Sequence, residues 1–142
     1  MPTDAYRTFA PRLARVVAGV IGIVTLVAAG VFIALVPGFR LPDKAGTAAL
    51  AILIAAFCYR QATVRAVPDR QGLSVRNLVF SRRLEWPEII GVTFGDGTPW
   101  ATLDLADGET LAVMGIQRSD GDFARTEARR LATLIQVHGE AR

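Results

Sequence analysis

No charged side chain interrupts residues 16–36, VVAGVIGIVTLVAAGVFIALV. As a helix rising about 1.5 Å per residue, this run reaches roughly 31 Å, the hydrocarbon thickness of a bilayer. A second uncharged run, residues 45–59 (AGTAALAILIAAFCY), follows a connector that holds two prolines. It is shorter, and Lys44 and Arg60 extend it by laying their methylene stems along the core edge and their charges at the headgroups. Nothing beyond Arg60 resembles a membrane segment. The pattern divides the 142 residues into a tail (1–15), a first membrane helix (16–36), a connecting loop (37–44), a second membrane helix (45–60) and one small soluble domain (61–142).

The first run also has marks of a secretory signal, with Arg12 and Arg15 ahead of it and Ala28-x-Gly30 as a cleavage site. Its continuation through Phe32, Ile33 and Leu35 is longer than a usual signal core and favours a spanning helix. Small residues recur at four-residue spacing, Ala18/Gly22 on the first helix and Ala45/Ala49 and Ala51/Ala55 on the second, which lets two helix backbones approach closely. Neither run holds the buried acid, His, Lys or Arg that a transport path uses, so the hairpin reads as an anchor. Arg7, Arg12 and Arg15 precede it and Arg60, Arg65 and Arg70 follow, against Arg40 and Lys44 between the helices. The richer positive flank stays inside, which predicts a multi-pass protein of the cell membrane with both termini cytoplasmic.

The net charge of +3 is misleading as a nucleic-acid signal. Through Arg60 there are six basic and two acidic residues, and beyond it ten basic and eleven acidic, a net of −1 for the soluble half. The basicity belongs to the membrane flanks, which argues against nucleic-acid binding. Catalysis has little to stand on. Cys58, the single cysteine, lies in the second apolar run, where it reads as a small buried residue or a lipidated thiol. The single histidine, His138, sits near a helix end and is expected at the surface or on terminal carbonyls. Carboxylate pairs such as Asp104/Asp107 and Asp96/Asp120 belong mostly to turns. No enzyme activity, metal or cofactor is expected.

From Thr63 the apolar spacing changes to alternation. Short strands are predicted over 63–67, 73–79 (Leu73, Val75 and Val79 on one face), 81–86, 91–94, 100–105 and 110–114. A hairpin is expected around Phe80-Ser81, a helical turn at 87–89, and tight turns at Asp96-Gly97 and Asp107-Gly108. An amphipathic helix follows, opened by Ser119-x-x-Asp122 as a capping box, with Ala124, Ala128, Leu131, Leu134 and Ile135 inward. The expected fold is α+β: a two-helix transmembrane hairpin, then an open antiparallel barrel or bent sandwich capped by a C-terminal helix. Residues 61–142 are expected to fold without the rest.

That order of elements resembles the pleckstrin-homology (PH)-like fold, and particular residues carry the resemblance further. Asp69-x-x-Gly72-Leu73-x-Val75-Arg76-Asn77, Arg82-Arg83-x-x-x-Trp86-x-x-Ile89 and Phe94-Gly95-Asp96-Gly97-x-Pro99-Trp100-Ala101 are similar to segments of actinobacterial membrane proteins with a bacterial PH domain, described as low-molecular-weight protein antigen PH-domain proteins. The resemblance implies a fold and a membrane location. It brings no reaction and no established ligand. Candidate binding residues are Arg82, Arg83 and Trp100. Adjacent strand residues point to opposite faces, so Arg82 and Arg83 are not expected to grip one headgroup together. Trp100, just after a turn, suits core or turn packing first, and otherwise a partner surface or the membrane interface. The leading expectation is a non-enzymatic, membrane-anchored module that recruits or braces a protein partner. The alternative is a protein that binds a lipid or envelope-precursor headgroup, expected to be weak.

Overall fold

In the computed structural model, which describes residues 3–141, the two apolar runs form helices α1 (Leu13–Leu35) and α2 (Leu41–Ala62). Both are long and apolar enough to cross a membrane. The chain folds as two compact units: one spans Ala14–Thr63, and the other joins the residues up to Leu13 with those from Val64 onward.

In the helical unit, α2 begins earlier than its uncharged run. Proline suits a helix's first turn, and the Asp43 carboxylate accepts the Arg40 N–H at 3.1 Å, so residues 41–44 are helix rather than loop. The helices come closest at small side chains. Ala18, Gly22, Ala51 and Cys58 are buried, and a Cβ on Gly22 would lie 3.2 Å from the Cys58 Cβ. Ala45 and Ala49 share the spacing but are exposed. Arg15 Nε donates to the Ala62 carbonyl at 3.2 Å, a cation at the negative end of the α2 dipole.

The second unit holds two antiparallel three-stranded sheets. The first is β1 (Arg65–Pro68), β2 (Gly72–Arg76) and β3 (Ser81–Glu85); the other is β4 (Ile89–Thr93), β5 (Trp100–Leu105) and β6 (Thr110–Gln117). They form a PH-like sandwich, not a closed barrel, and α3 (Asp122–Glu140) follows. The inward rows are the expected ones: Leu73, Val75, Leu84, Trp86, Ala101, Leu103, Leu105 and Val113 meet Ala124, Ala128, Leu131, Leu134 and Ile135 of α3.

Three local expectations are corrected. β2 stops at Arg76, and the Asn77 side chain reaches across to β6: it accepts the Met114 N–H at 3.1 Å and donates to the Ala112 carbonyl at 2.7 Å. The turn therefore covers residues 77–80, and Val79 is 70% exposed instead of inward. Ser119 caps nothing, since residues 118–120 form a 3-10 turn and α3 starts after Gly121, whose φ of 59° suits glycine.

The largest correction concerns the N-terminal residues, expected as a tail. Phe9 is fully buried in the sandwich core and Pro11 is among the most deeply buried residues. The Phe9 N–H donates to the Ala66 carbonyl at 2.8 Å and the Ala66 N–H to the Phe9 carbonyl at 2.9 Å, so this segment extends the β1 edge. It passes so close to β6 that a Cβ on Gly115 would sit 2.6 Å from the Phe9 carbonyl oxygen. From α3, the Arg130 guanidinium lies 3.8 Å from the Phe9 ring centroid, donates to the Ala5 and Arg7 carbonyls (3.0 and 2.8 Å), and pairs with buried Glu127 at 2.7 Å. Glu127 also takes Arg7 at 3.1 Å.

Candidate functional site

The register of the first sheet sets two rows of side chains on its outer face. Arg65 stands opposite Arg76 and Arg76 opposite Ser81; in the adjacent row, Val67 stands opposite Ser74 and Ser74 opposite Arg83. The alternate residues Ala66, Leu73, Val75 and Leu84 face the core. A shallow cavity of about 310 Å³ lies over the outer rows.

Arg83 is held in place there. Its guanidinium meets both Asp69 carboxylate oxygens, at 2.8 and 3.0 Å, and the Ser74 hydroxyl at 2.9 Å. Asp69 itself also takes the Gln71 and Gly72 N–H groups at 2.8 and 3.0 Å, which shapes the β1–β2 turn. The Arg83 hydrogen bond, aided by those two backbone donors, pulls the Asp69 carboxyl from 3.8 down to about 2, against the opposing effect of desolvation. The same pairing raises the Arg83 pKa. Arg65 and Arg76 differ: among the described residues neither has a carboxylate within ion-pair distance, and Arg76 Nε is buried without a hydrogen-bond partner. Like charges directly opposite across a strand pair repel. The row therefore carries positive potential that the fold does not neutralise.

Arg82 and Arg83 part company. Arg82 reaches the β5–β6 turn, with Glu109 at 3.5 Å and Asp107 at 3.9 Å, while Arg83 stays with Asp69. Trp100 joins neither. It is half-buried at the start of β5, beside Gln117 across a bulge, at the far end of that hairpin from the residues that hold Arg82. Arg65 and Arg76 escaped the sequence reading because cross-strand register is not written in either strand alone.

His138 is not a surface group. Its ring stacks on Trp86 (4.7 Å between centroids, 2° between planes), and its Nε2 is 3.0 Å from the Tyr6 hydroxyl. Trp86 in turn donates from Nε1 to the Asp69 carbonyl at 2.9 Å. This line ties the N-terminal segment, α3 and the β1–β2 turn together. Among the described residues no cluster of three or more His, Cys, Asp or Glu is placed to hold a metal ion.

A family model described as Bacterial PH domain matches residues 63–133. An uncharacterized protein of Mycobacterium tuberculosis is 42% identical over 86 residues, covering 61% of this chain and 56% of that protein. An uncharacterized protein of Mycobacterium bovis matches to the same extent, 42% over 86 residues. Low molecular weight protein antigen 6 of Mycobacterium tuberculosis is 33% identical over 82 residues, 58% of this chain and 70% of that protein. The match thus spans little more than half the length of the first two relatives, 56%. No solved structure matches.

Proposed function

Because the chain belongs to the bacterial PH domain family, we propose that it is a non-enzymatic interaction module, held at the inner face of the cell membrane by its two apolar helices, that recruits or braces a protein partner there. One observation carries the anchored reading. Residues on both flanks of the hairpin pair within one folded unit, Phe9 with Ala66, which supports a reading in which both flanks share one side of the bilayer and the helices cross it as a pair. The excess of Arg on those flanks favours the cytoplasmic side.

A protein partner suits the domain better than a lipid surface. Useful recruitment to anionic headgroups takes a cluster of roughly four to eight basic residues. Here the soluble half has a net charge of −1, and Arg82 is already taken up by Asp107 and Glu109. The anchor raises the effective concentration of the domain for other membrane proteins, so modest contacts suffice. The acids are engaged as structure, which supports the non-enzymatic reading: Asp107 accepts the Glu109 N–H at 2.9 Å, and Asp120 the N–H groups of Arg12 and Leu13 at 2.9 and 2.8 Å.

Crosslinking in native membranes followed by mass spectrometry tests this reading. One reproducible protein partner is expected. A lipid that co-purifies with a headgroup preference, and no protein, would replace it with the headgroup-binding alternative.

A further inference from the structure

Resting on the partner reading above, we propose that the outer face of the first sheet and the open edge of β3 receive an extended acidic segment of a partner protein, added as a strand beside β3, with its carboxylates over Arg76 and Arg83.

The edge is the first observation. Among the described residues no strand pairs with the outer side of β3. The Asn77 N–H donates to the Phe80 carbonyl at 2.8 Å and the Trp86 N–H to the Gln71 carbonyl at 3.3 Å, which fixes the bonded pairs at the two ends of this hairpin. Stepping by two residues, the bonded pairs between them are Val75 with Arg82 and Leu73 with Leu84. Ser81 and Arg83 therefore turn their backbone N–H and C=O groups outward, ready for another strand. The Glu85 N–H is already taken by Glu88 at 2.6 Å, so the open stretch is short and ends there.

Charge is the second observation. A strand added at the usual spacing of about 4.8 Å puts one side chain beside Ser81, in the row that continues to Arg76 and Arg65. Ser81 is small, which leaves a glutamate there a clear lane to Arg76, the arginine whose Nε lacks a partner. Two residues along, the incoming side chain stands beside Arg83. Its three bonds to Asp69 and Ser74 leave two of its five N–H donors unused. Two residues further, Glu85 heads the next row, opposite Gly72, and repels an acid. The face thus selects acid, any residue, acid, any residue, then a neutral or basic residue. Val67, 37% exposed between the charges, offers apolar surface to the methylenes of a glutamate, which a fully hydrated phosphate does not use.

The test uses the full chain in zwitterionic detergent micelles and a labelled, end-capped peptide, TVEVEVKT. Saturable binding is expected, weakened at least tenfold by Arg65→Gln/Arg76→Gln and by glutamine in place of both glutamates. Backbone N-methylation of the peptide at alternate residues should abolish it, because the edge bonds go. The double variant should melt no lower than the parent, since it removes a like-charge pair. Binding unchanged by the double variant, or by N-methylation, would overturn the proposal. So would displacement of the peptide by submillimolar inorganic phosphate, or by vesicles of anionic lipid and not by neutral ones, which would hand the face to a phosphate ligand. A partner crosslinked equally by parent and double variant overturns this seat and leaves the partner reading intact. Peptide binding without any crosslinked partner does the reverse.

Discussion

Leu84 in the first sheet has no exposed surface, whereas Leu53 of α2 is 69% exposed. The side chains are identical and their surroundings opposite. Leu73, Leu103 and Leu131 repeat the first case and Ile23 and Leu35 the second, at 66 and 74% exposure. In water, each exposed apolar Å² costs about 25 cal/mol, so a surface like that of the hairpin is tenable only against something apolar. The domain carries its own cover, with the two sheets facing each other and α3 packed over β4 and β6. The hairpin keeps its inward contacts for small residues, where the benefit is close packing rather than removal of area from water. Burial of large apolar side chains thus reports stability in the domain and solvent in the hairpin.

The largest effect should come from Phe9→Ala. A fully buried Phe reduced to Ala costs about 3–5 kcal/mol, and the domain's thermal transition should fall accordingly. Phe57→Ala, at a position 58% exposed on α2, should move that transition by less than about 0.5 kcal/mol. Equal responses would break the comparison. By the same reasoning a fragment of residues 61–142 should be much less stable alone than with a peptide of residues 3–12 added in trans.

An intermediate effect, confined to the hairpin, is expected from Gly22→Leu. The branched side chain has no room beside Cys58, and overpacking costs about 1–3 kcal/mol. A short thiol crosslinker between Cys58 and Ala18→Cys should report the parted helices as a lower yield, while the domain melts as before. An unchanged yield would mean that the small-residue contact does not hold the helices together.

The smallest effect belongs to Asp69. Its carboxyl titrates at about 2 in the folded domain, below its usual 3.8, so its stabilisation is fully present above about pH 4 and disappears as the pH falls towards 2. The side chain is 46% exposed and screened, which keeps the effect small. The stability gap between the parent and Asp69→Asn should therefore close on acidification, with helical content in the hairpin unaffected. A gap that persists at pH 2 would place the contribution of Asp69 in its shape, not its charge.

Much of this was legible. The change of apolar period at Thr63 announced strands, and Asp107-Gly108 and Asp96-Gly97 announced turns whose glycines have φ of 87° and 92°. Ala124, Ala128, Leu131, Leu134 and Ile135 announced the buried face of α3. What stayed hidden depends on residues distant in sequence. Phe9 and Tyr6 sit in a segment too short for any period, and their partners, Ala66 and His138, lie across the whole hairpin or the whole chain. Glu127 interrupts an apolar helix face, and only the arrival of Arg7 and Arg130 explains it. The arginines of the outer face needed the register of three strands, which alternation alone does not supply.

Phe9 and Tyr6 are synthesised well before the residues that seat them. Phe9 waits for Ala66, and Tyr6 for His138, 132 residues later, which at translation rates of about 5–20 residues per second is a delay of about 7 to 26 seconds. Both apolar helices emerge in that interval. A chain threaded so that its first residues end on the wrong side of a bilayer never delivers Phe9, and the β1 edge and the core beneath it stay open. On the anchored reading proposed above, completion of the fold would then be a form of proofreading: only correctly threaded chains would close.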